Sequence, residues 1–325
     1  MPNPSADIDP RDLAACRALL RKGSKSFSLA SLLLPQRVRE PAAAIYAFCR
    51  VADDLVDEGE GGDDVLQQLY GRLDRAYDGR PEDDPVDRAF SSVVRFHDIP
   101  KEVPAALLEG FAWDAQGRQY ETIEDVQAYS ARVAGTVGVM MTLLMGPRDA
   151  PTLERACDLG VAMQLTNIAR DVGEDARNGR VYLPTTWLRD AGVEREAFLA
   201  DPAFRPEVAI VIRQLLERAE FLYARSDAGI AMLPPDCRAA IRAARLIYAE
   251  IAHELQRRGL DSVSQRTVVG KGRKLWLVLR ALFGQAPGES TLLLATSSYE
   301  PLAETEFLVR ATARPGPLQL QEAGT

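Results

Sequence analysis

The stretch QLTNIARDVGED, residues 164–175, carries three acids in a segment that otherwise has the pattern of a buried, alanine-rich helix. A second acidic stretch, DDLVD at residues 53–57, lies in a similar setting. An unpaired buried carboxylate costs several kcal/mol, or its pKa shifts until the group is neutral. Two such stretches therefore predict a shared cation or charged ligand between them.

Apolar residues recur at helical spacing along nearly the whole chain, and sustained alternating segments rich in Val, Ile and Thr are missing. This pattern predicts an all-α fold, with prolines at helix starts and connections. The predicted helices cover residues 10–22, 27–34, 41–58, 63–78, 85–97, 102–117, 123–145, 150–176, 205–231, 235–258 and 268–283. We expect residues 1–284 to form one domain. Residues 285–325, rich in Pro, Gly, Ser and Thr, are expected to be an extended or partly disordered tail.

The chain has 325 residues, 46% of them hydrophobic, and a formal net charge of −8. This composition predicts a globular protein and argues against a nucleic-acid binder, which usually carries a basic face. The four cysteines have no metal- or haem-binding spacing, as expected of reduced thiols. The N-terminus lacks a signal-peptide pattern, and the apolar residues 133–146 are too few to cross a membrane. We expect a cytoplasmic protein that is soluble or at most peripheral to a membrane.

Each acidic helix carries a polar stripe at the spacing where a core-facing helix normally places leucines. On the first helix the stripe consists of Tyr46, Arg50, Asp53 and Asp57. On the second helix it consists of Gln164, Asn167, Asp171 and Asp175, with Arg170 beside them. Apolar residues cover most of the remaining circumference of both helices. The two stripes are therefore expected to face each other across an interior cavity.

The residue types in the stripes restrict the chemistry. Carboxylates and an Asn carbonyl are hard oxygen donors, which suit Mg²⁺ or Mn²⁺ rather than zinc or copper. Magnesium usually binds one or two carboxylates together with substrate phosphate oxygens. Arg50 and Arg170 beside the acids therefore indicate a diphosphate that metal and guanidinium groups hold together.

Five segments together resemble the squalene and phytoene synthase family, most closely its bacterial phytoene synthases. They are AIYAFCRVADDLVD at 44–57, QLTNIARDVGED at 164–175 followed by GRVYLP at 179–184, SKSF at 24–27, VAGTVG at 133–138, and AARLIY at 243–248. The resemblance implies an isoprenoid synthase-type helical bundle around a central cavity. It also implies Mg²⁺-dependent head-to-head condensation of two geranylgeranyl diphosphates, through prephytoene diphosphate, to phytoene, without NADPH.

The resemblance also implies roles for individual residues. Asp53, Asp57, Asn167, Asp171 and Asp175 become metal-site residues. Asp54, Tyr46 and Arg50 join the four aspartates of that set as catalytic residues. The substrate contacts are Ser24, Lys25, Ser26, Phe27, Tyr129, Gln164, Asn167, Arg170, Arg180, Tyr182, Tyr248 and Arg266. The Lys271–Lys274 cluster is interpreted as an exposed basic patch, and product release as a step that involves contact with a membrane surface.

Several alternatives stay open at this point. A squalene, dehydrosqualene or presqualene diphosphate synthase would act on farnesyl diphosphate, and chain length depends on a cavity depth that the sequence does not give. A non-catalytic isoprenoid-binding protein would keep the pocket without the reaction. Gly135 and Gly138 fit either close approach of a substrate chain or tight helix packing. The role of Asp114 and the oligomeric state are left open.

Overall fold

The computed structural model describes residues 8–58, 63–283 and 300–314, and these residues form helices without a β-strand. The predicted all-α fold is thereby confirmed. The helices are α1 Pro10–Gly23, α2 Lys25–Ser31, α3 Gln36–Glu58, α4 Asp63–Tyr77, α5 Pro85–Phe96, α6 Glu102–Ala115, α7 Ile123–Ser130, α8 Thr136–Met145, α9 Ala150–Arg177, α10 Thr185–Asp190, α11 Arg195–Ala200, α12 Pro206–Met232, α13 Pro235–Arg257, α14 Lys271–Phe283 and α15 Glu306–Thr312.

Local sequence explains where many of these helices begin. Asp9, Asp84 and Asp149 each accept a backbone N–H bond at the start of α1, α5 and α9. Thr122 and Asp125 form a reciprocal capping box at the start of α7. Pro41 is an exception, because it was expected to begin a helix and instead lies inside α3.

The predicted helix over 123–145 is continuous but not uniform. Ala131–Gly135 forms a π-helical segment between α7 and α8. Such insertions bulge the backbone and are frequent at functional sites. Ile123–Met145 is also the one helical stretch among the described residues that is long and apolar enough to cross a membrane. Of its most apolar window, 67% is buried inside the protein, as in the core helix of a globular fold.

Helix α9 is the centre of the fold, and α12 packs along it. One apolar cluster joins α1 and α3–α6 with α8, and a second joins α9 with α12 and α13. Buried ion pairs tie elements together within these clusters. The Asp158 carboxylate of α9, for example, lies 3.0 Å from the Arg225 guanidinium of α12, and both groups are almost fully buried.

The described part of the predicted tail is not extended. Residues 303–305 form a 3₁₀ turn that leads into α15, which packs on α6, α8 and α9. Leu308 is fully buried, and its Cδ1 lies 3.4 Å from the position that a Cβ on Gly135 would take. The prediction for 285–325 is therefore wrong for Glu306–Thr312, because one short apolar face found a docking surface. Residues 285–299 and 315–325 lie outside the described residues.

Candidate active site

A cavity of about 670 Å³ opens beside the acidic stretch at residues 164–175 and runs along α9. Its lining on α9 begins at Arg170 and continues to Thr152, which at 1.5 Å per residue is a length of about 27 Å. The end near Arg170 is polar. The rest is mainly apolar and small, with walls that include Ala134, Val137, Gly138, Met141, Met145, Ala156, Leu159, Gly160, Met163, Gly229, Ile230 and Ala244.

Of the first stripe, Tyr46 is the residue that the structure places in the cavity wall. Its ring stacks on Phe27 with the centroids 5.7 Å apart. Arg50 pairs with Asp53 at 3.4 Å and with Asp54. Their side chains are about two-fifths exposed and do not line the cavity, so these carboxylates are not enclosed as the apolar circumference predicted. The side chains of Asp57 and Lys25 lie outside the described residues.

The second stripe delivers an amide pair and an arginine to the cavity. Gln164, Asn167 and Arg170 all line it. Asn167 donates to the Gln164 amide oxygen at 3.3 Å, whereas the buried Asn167 Oδ1 accepts no hydrogen bond within the described structure. A buried carbonyl oxygen without a donor is costly, so it is a ready ligand for a cation or a donor group.

Two arginines donate to the Asp171 carboxylate, one from the preceding residue and one from a segment 95 residues later in the chain. Arg170 Nε donates to Oδ1 at 2.8 Å, and Arg266 Nε donates to the same oxygen at 2.8 Å. Arg266 belongs to residues 261–270, which we call the strap. The strap crosses α9 at Gly173, whose N–H donates to the Ser262 carbonyl at 3.1 Å. A Cβ on Gly173 would lie 2.1 Å from the Val263 carbonyl oxygen, so only glycine allows this crossing.

Asp175 is a crowded carboxyl group. Burial, then the negative charges of Asp171 and Glu174, raise its pKa to about 8, and Arg180 opposes this only in part. A divalent cation would relieve this repulsion. Asp175, Asp171 and the free Asn167 oxygen thus fit a hard metal ion in donor type. No group of three His, Cys, Asp or Glu side chains converges on one point within the residues that the structure describes.

Two of the tyrosines predicted as substrate contacts do not line the cavity. Tyr129 and Tyr182 donate their hydroxyl protons to Asp114, at 2.7 and 2.8 Å, and their rings stack 5.1 Å apart. Burial, before the Asp114 charge, raises the pKa of both hydroxyls, which keeps them protonated as donors. Arg180 lies beside Tyr182 and Asp175 rather than on the cavity wall. Sequence spacing shows the helix face of a tyrosine but not its partner, which is why the role of Asp114 was left open.

Of the substrate contacts predicted at residues 24–27, Ser24, Ser26 and Phe27 lie at the cavity mouth. The Ser24 hydroxyl accepts from the Phe27 N–H and so starts α2. Lys274 of α14 donates to the Ser26 hydroxyl at 2.9 Å. Ser24, Ser26, Phe27, Tyr248 and Arg266 all line the cavity, as do Lys22 and strap residues 267–269, which the sequence motifs did not indicate. Lys274, interpreted from the sequence as part of an exposed basic patch, is half-buried and lines the cavity too.

Comparisons with known proteins agree on one family. The family model for squalene/phytoene synthase matches residues 20–273. The phytoene synthase of Rhodobacter capsulatus is 50% identical over 94% of this chain and 91% of its own length. The 15-cis-phytoene synthase of Pantoea ananas is 39% identical, over 81% and 88%. A dehydrosqualene synthase crystal structure with bound ligand is 34% identical and superposes with a TM-score of 0.78, covering 86% of this chain and 98% of that one.

Proposed function

The chain belongs to the squalene/phytoene synthase family, and we propose that it is a prenyltransferase that condenses two geranylgeranyl diphosphates head to head, through prephytoene diphosphate, to phytoene. The match confirms the family resemblance seen in the motifs. The observation that carries the proposal is the shape of the cavity, which joins an arginine-rich polar end to a long apolar channel. We place the enzyme in the cytoplasm. It would contact a membrane surface when it takes up its long-chain substrate and releases its apolar product.

The length of the cavity supports a substrate with four isoprene units. With C–C bonds of about 1.5 Å, the sixteen in-line carbons of a geranylgeranyl chain span at most about 19 Å. From Asn167 to Thr152 the α9 wall extends for about 22 Å, which accommodates that chain below the diphosphate. The twelve in-line carbons of a farnesyl chain would leave the end near Thr152 and Arg155 empty.

The residues of the chain divide the work between the two ends. We assign Arg50, Arg170 and Arg266 to the diphosphate, whose charge guanidinium groups bind in bidentate fashion. Asp53, Asp57, Asn167, Asp171 and Asp175 would hold Mg²⁺ or Mn²⁺, which when bound stabilises negative charge on the departing diphosphate. The rings of Tyr46 and Phe27 stand at the polar end, where a ring face stabilises positive carbon. The apolar walls exclude water, which would otherwise quench an allylic cation.

The test is product analysis with purified protein, Mg²⁺ and either geranylgeranyl or farnesyl diphosphate, with and without NADPH. We expect phytoene from geranylgeranyl diphosphate without NADPH, and loss of turnover when EDTA removes the metal. Squalene formed only with NADPH, or dehydrosqualene formed from farnesyl diphosphate while geranylgeranyl diphosphate is left unused, would contradict the proposal. Substrate binding without any product would indicate an isoprenoid-binding protein.

A further inference from the structure

Helix α14 exposes large apolar side chains to solvent along one side. Leu275, Trp276, Leu279, Leu282 and Phe283 are 46–83% exposed, while Leu277, Val278 and Ala281 on the other side are buried against α2 and α13. With Val268 of the strap, this face holds six of the ten large apolar residues that are exposed among the described residues. Such concentration marks an interaction site, because scattered exposed apolar residues are the norm.

Charge around this face has the opposite sign to the rest of the chain. Residues 264–283 contain five Lys or Arg and no acid, in a protein of net charge −8. The guanidinium groups of Arg273 and Arg280 lie 4.4 and 5.7 Å from the centre of the Trp276 ring. An amphipathic helix with Trp and Leu on one side and Lys and Arg around them is typical of helices that lie in a membrane interface.

The face borders the opening of the cavity. Val268, which is 62% exposed, and Lys274 both line the cavity, and Lys274 also bonds to Ser26 of the mouth. Glu250 of α13 anchors the helix, because it accepts from Arg273 at 2.9 Å. A membrane pressed against α14 would therefore lie next to the cavity mouth.

We infer that the α14 face, with Val268, binds the surface of an anionic lipid bilayer and sets the cavity mouth against it. A bilayer fits better than a second copy of the chain, because two copies of this face would bring the exposed Lys271 and Arg280 of one copy against those of the other. The inference deepens the proposed function, on which it rests for the lipid nature of substrate and product. The cationic residues bind the headgroups, and the leucines and Trp276 enter the interface.

Co-sedimentation of the full chain with vesicles that contain no prenyl diphosphate tests this inference. We expect binding to phosphatidylcholine vesicles with 30% phosphatidylglycerol, weaker binding without the anionic lipid, and a decline with added salt. Leu279→Glu should lower the partition coefficient by about tenfold or more. Its matched control is Ile210→Glu on α12, which also replaces an aliphatic residue by Glu. Ile210 is 48% exposed and Leu279 is 46% exposed, and the control should alter binding less than twofold.

The outcomes distinguish a bilayer from a second copy of the chain as the occupant of this face. Failure of the unchanged protein to sediment with anionic vesicles, or equal losses in both variants, overturns the inference. A dimer in lipid-free buffer that Leu279→Glu dissociates would assign the face to a second copy and also overturn it. Phytoene formation in detergent micelles is measured separately and should be unchanged in Leu279→Glu. Absence of phytoene there, with vesicle binding intact, would refute the proposed function and leave the membrane surface standing.

Discussion

Asp171 is neutralised by protein groups before any ligand arrives. Arg170 and Arg266 both donate to its carboxylate, so a metal ion or diphosphate must draw at least one guanidinium away. Arg266 is the partner that can leave more easily, because its side chain is 51% exposed whereas that of Arg170 is 17% exposed. Under the proposed function, the arginine that pairs with Asp171 in the free protein would then be available for the diphosphate.

Asp171→Asn should lower kcat/KM by at least about 100-fold, because a neutral amide neither binds Mg²⁺ well nor orients two guanidinium groups. The unfolding free energy should change by no more than about 1 kcal/mol, since lost ion pairs and relieved repulsion with Asp175 offset each other. Steady-state assays and thermal unfolding measure the two effects. Glu254→Gln is the control, because Glu254 also pairs with two arginines but lies on the surface of α13. A similar loss of activity in Glu254→Gln would contradict a specific role for Asp171 in the reaction.

Asp114→Asn should destabilise the protein by about 1–3 kcal/mol, because one of the two tyrosine hydroxyls would face an amide N–H₂ instead of an acceptor. Thermal unfolding should show a drop of several degrees. Tyr129→Phe removes one of the two bonds and should cost about half as much. Asp190→Asn, at an exposed position at the end of α10, should leave the melting temperature unchanged. An unchanged melting temperature in Asp114→Asn would mean that the buried cluster does not depend on this carboxylate.

At the scale of elements, α9 lies so close to α8 and to the π-helical segment before it that glycine is required at both crossings. A Cβ on Gly138 would lie 2.5 Å from the Ala156 carbonyl oxygen, and a Cβ on Gly160 would lie 2.5 Å from that of Ala134. Tight helix packing therefore explains Gly138, although this glycine also lines the cavity. The close approach sets the width of the channel.

Gly160→Ala should lower the unfolding free energy by about 1–3 kcal/mol, because the new methyl group forces α9 away from the π-helical segment. Denaturant unfolding measures the change. Gly71→Ala is the matched control: Gly71 is also helical, but the nearest atom to its Cβ position is the flexible end of Arg75 at 3.4 Å. That substitution should be neutral or stabilising by up to about 1 kcal/mol. Equal behaviour of the two variants would contradict a requirement for glycine at this helix crossing.

The sequence predicted eleven helices with ends within five residues of those observed, because apolar periodicity and proline placement are local signals. It did not predict α10, α11 or α15, which have six or seven residues each. In the site, helix faces were predictable for Tyr46, Gln164 and Arg170. The contacts of Tyr129 with Asp114, and of Arg266 with Asp171, join residues 15 and 95 positions apart and depend on packing that no local pattern contains.

At the scale of the whole molecule, the cavity along α9 is the feature that, under the proposed function, would determine which substrates the enzyme accepts. Its polar end draws on α3, α9 and the strap, and its far end on α8, α9 and α12. If the proposed function holds, substrate length would be set by residues distant from the acids. Helix α15, which packs on α6, α8 and α9, would then act by supporting the wall.

Leu159→Trp should shorten the channel, since Leu159 lines it about 16 Å from Arg170 along α9. Turnover of geranylgeranyl diphosphate should fall by about tenfold or more, and that of farnesyl diphosphate should fall less. Competition between the two substrates, with product chromatography, gives the ratio. The control is Leu32→Trp, the same change at an exposed position, which should leave the ratio unchanged. An unaltered ratio in Leu159→Trp would mean that the depth of the cavity does not determine which chain length the enzyme accepts.

Leu308→Ala should lower the unfolding free energy by about 2–5 kcal/mol, because it removes a fully buried side chain and leaves a cavity behind the wall. Calorimetry measures the change. Arg310→Ala, on the exposed side of α15, should have an effect within about 0.5 kcal/mol. A neutral result for Leu308→Ala would mean that α15 is not needed to hold the wall in place.

The docking of α15 has a consequence during protein synthesis. Gly135 and Leu308, which meet behind the cavity wall, are 173 positions apart in the chain. At about 5–20 residues per second, a ribosome needs roughly 9–35 s to travel that distance. Through that interval the nascent polypeptide exposes the apolar surface around Gly135 that α15 later covers. Slow translation of the second half of the chain should therefore increase its demand for chaperones.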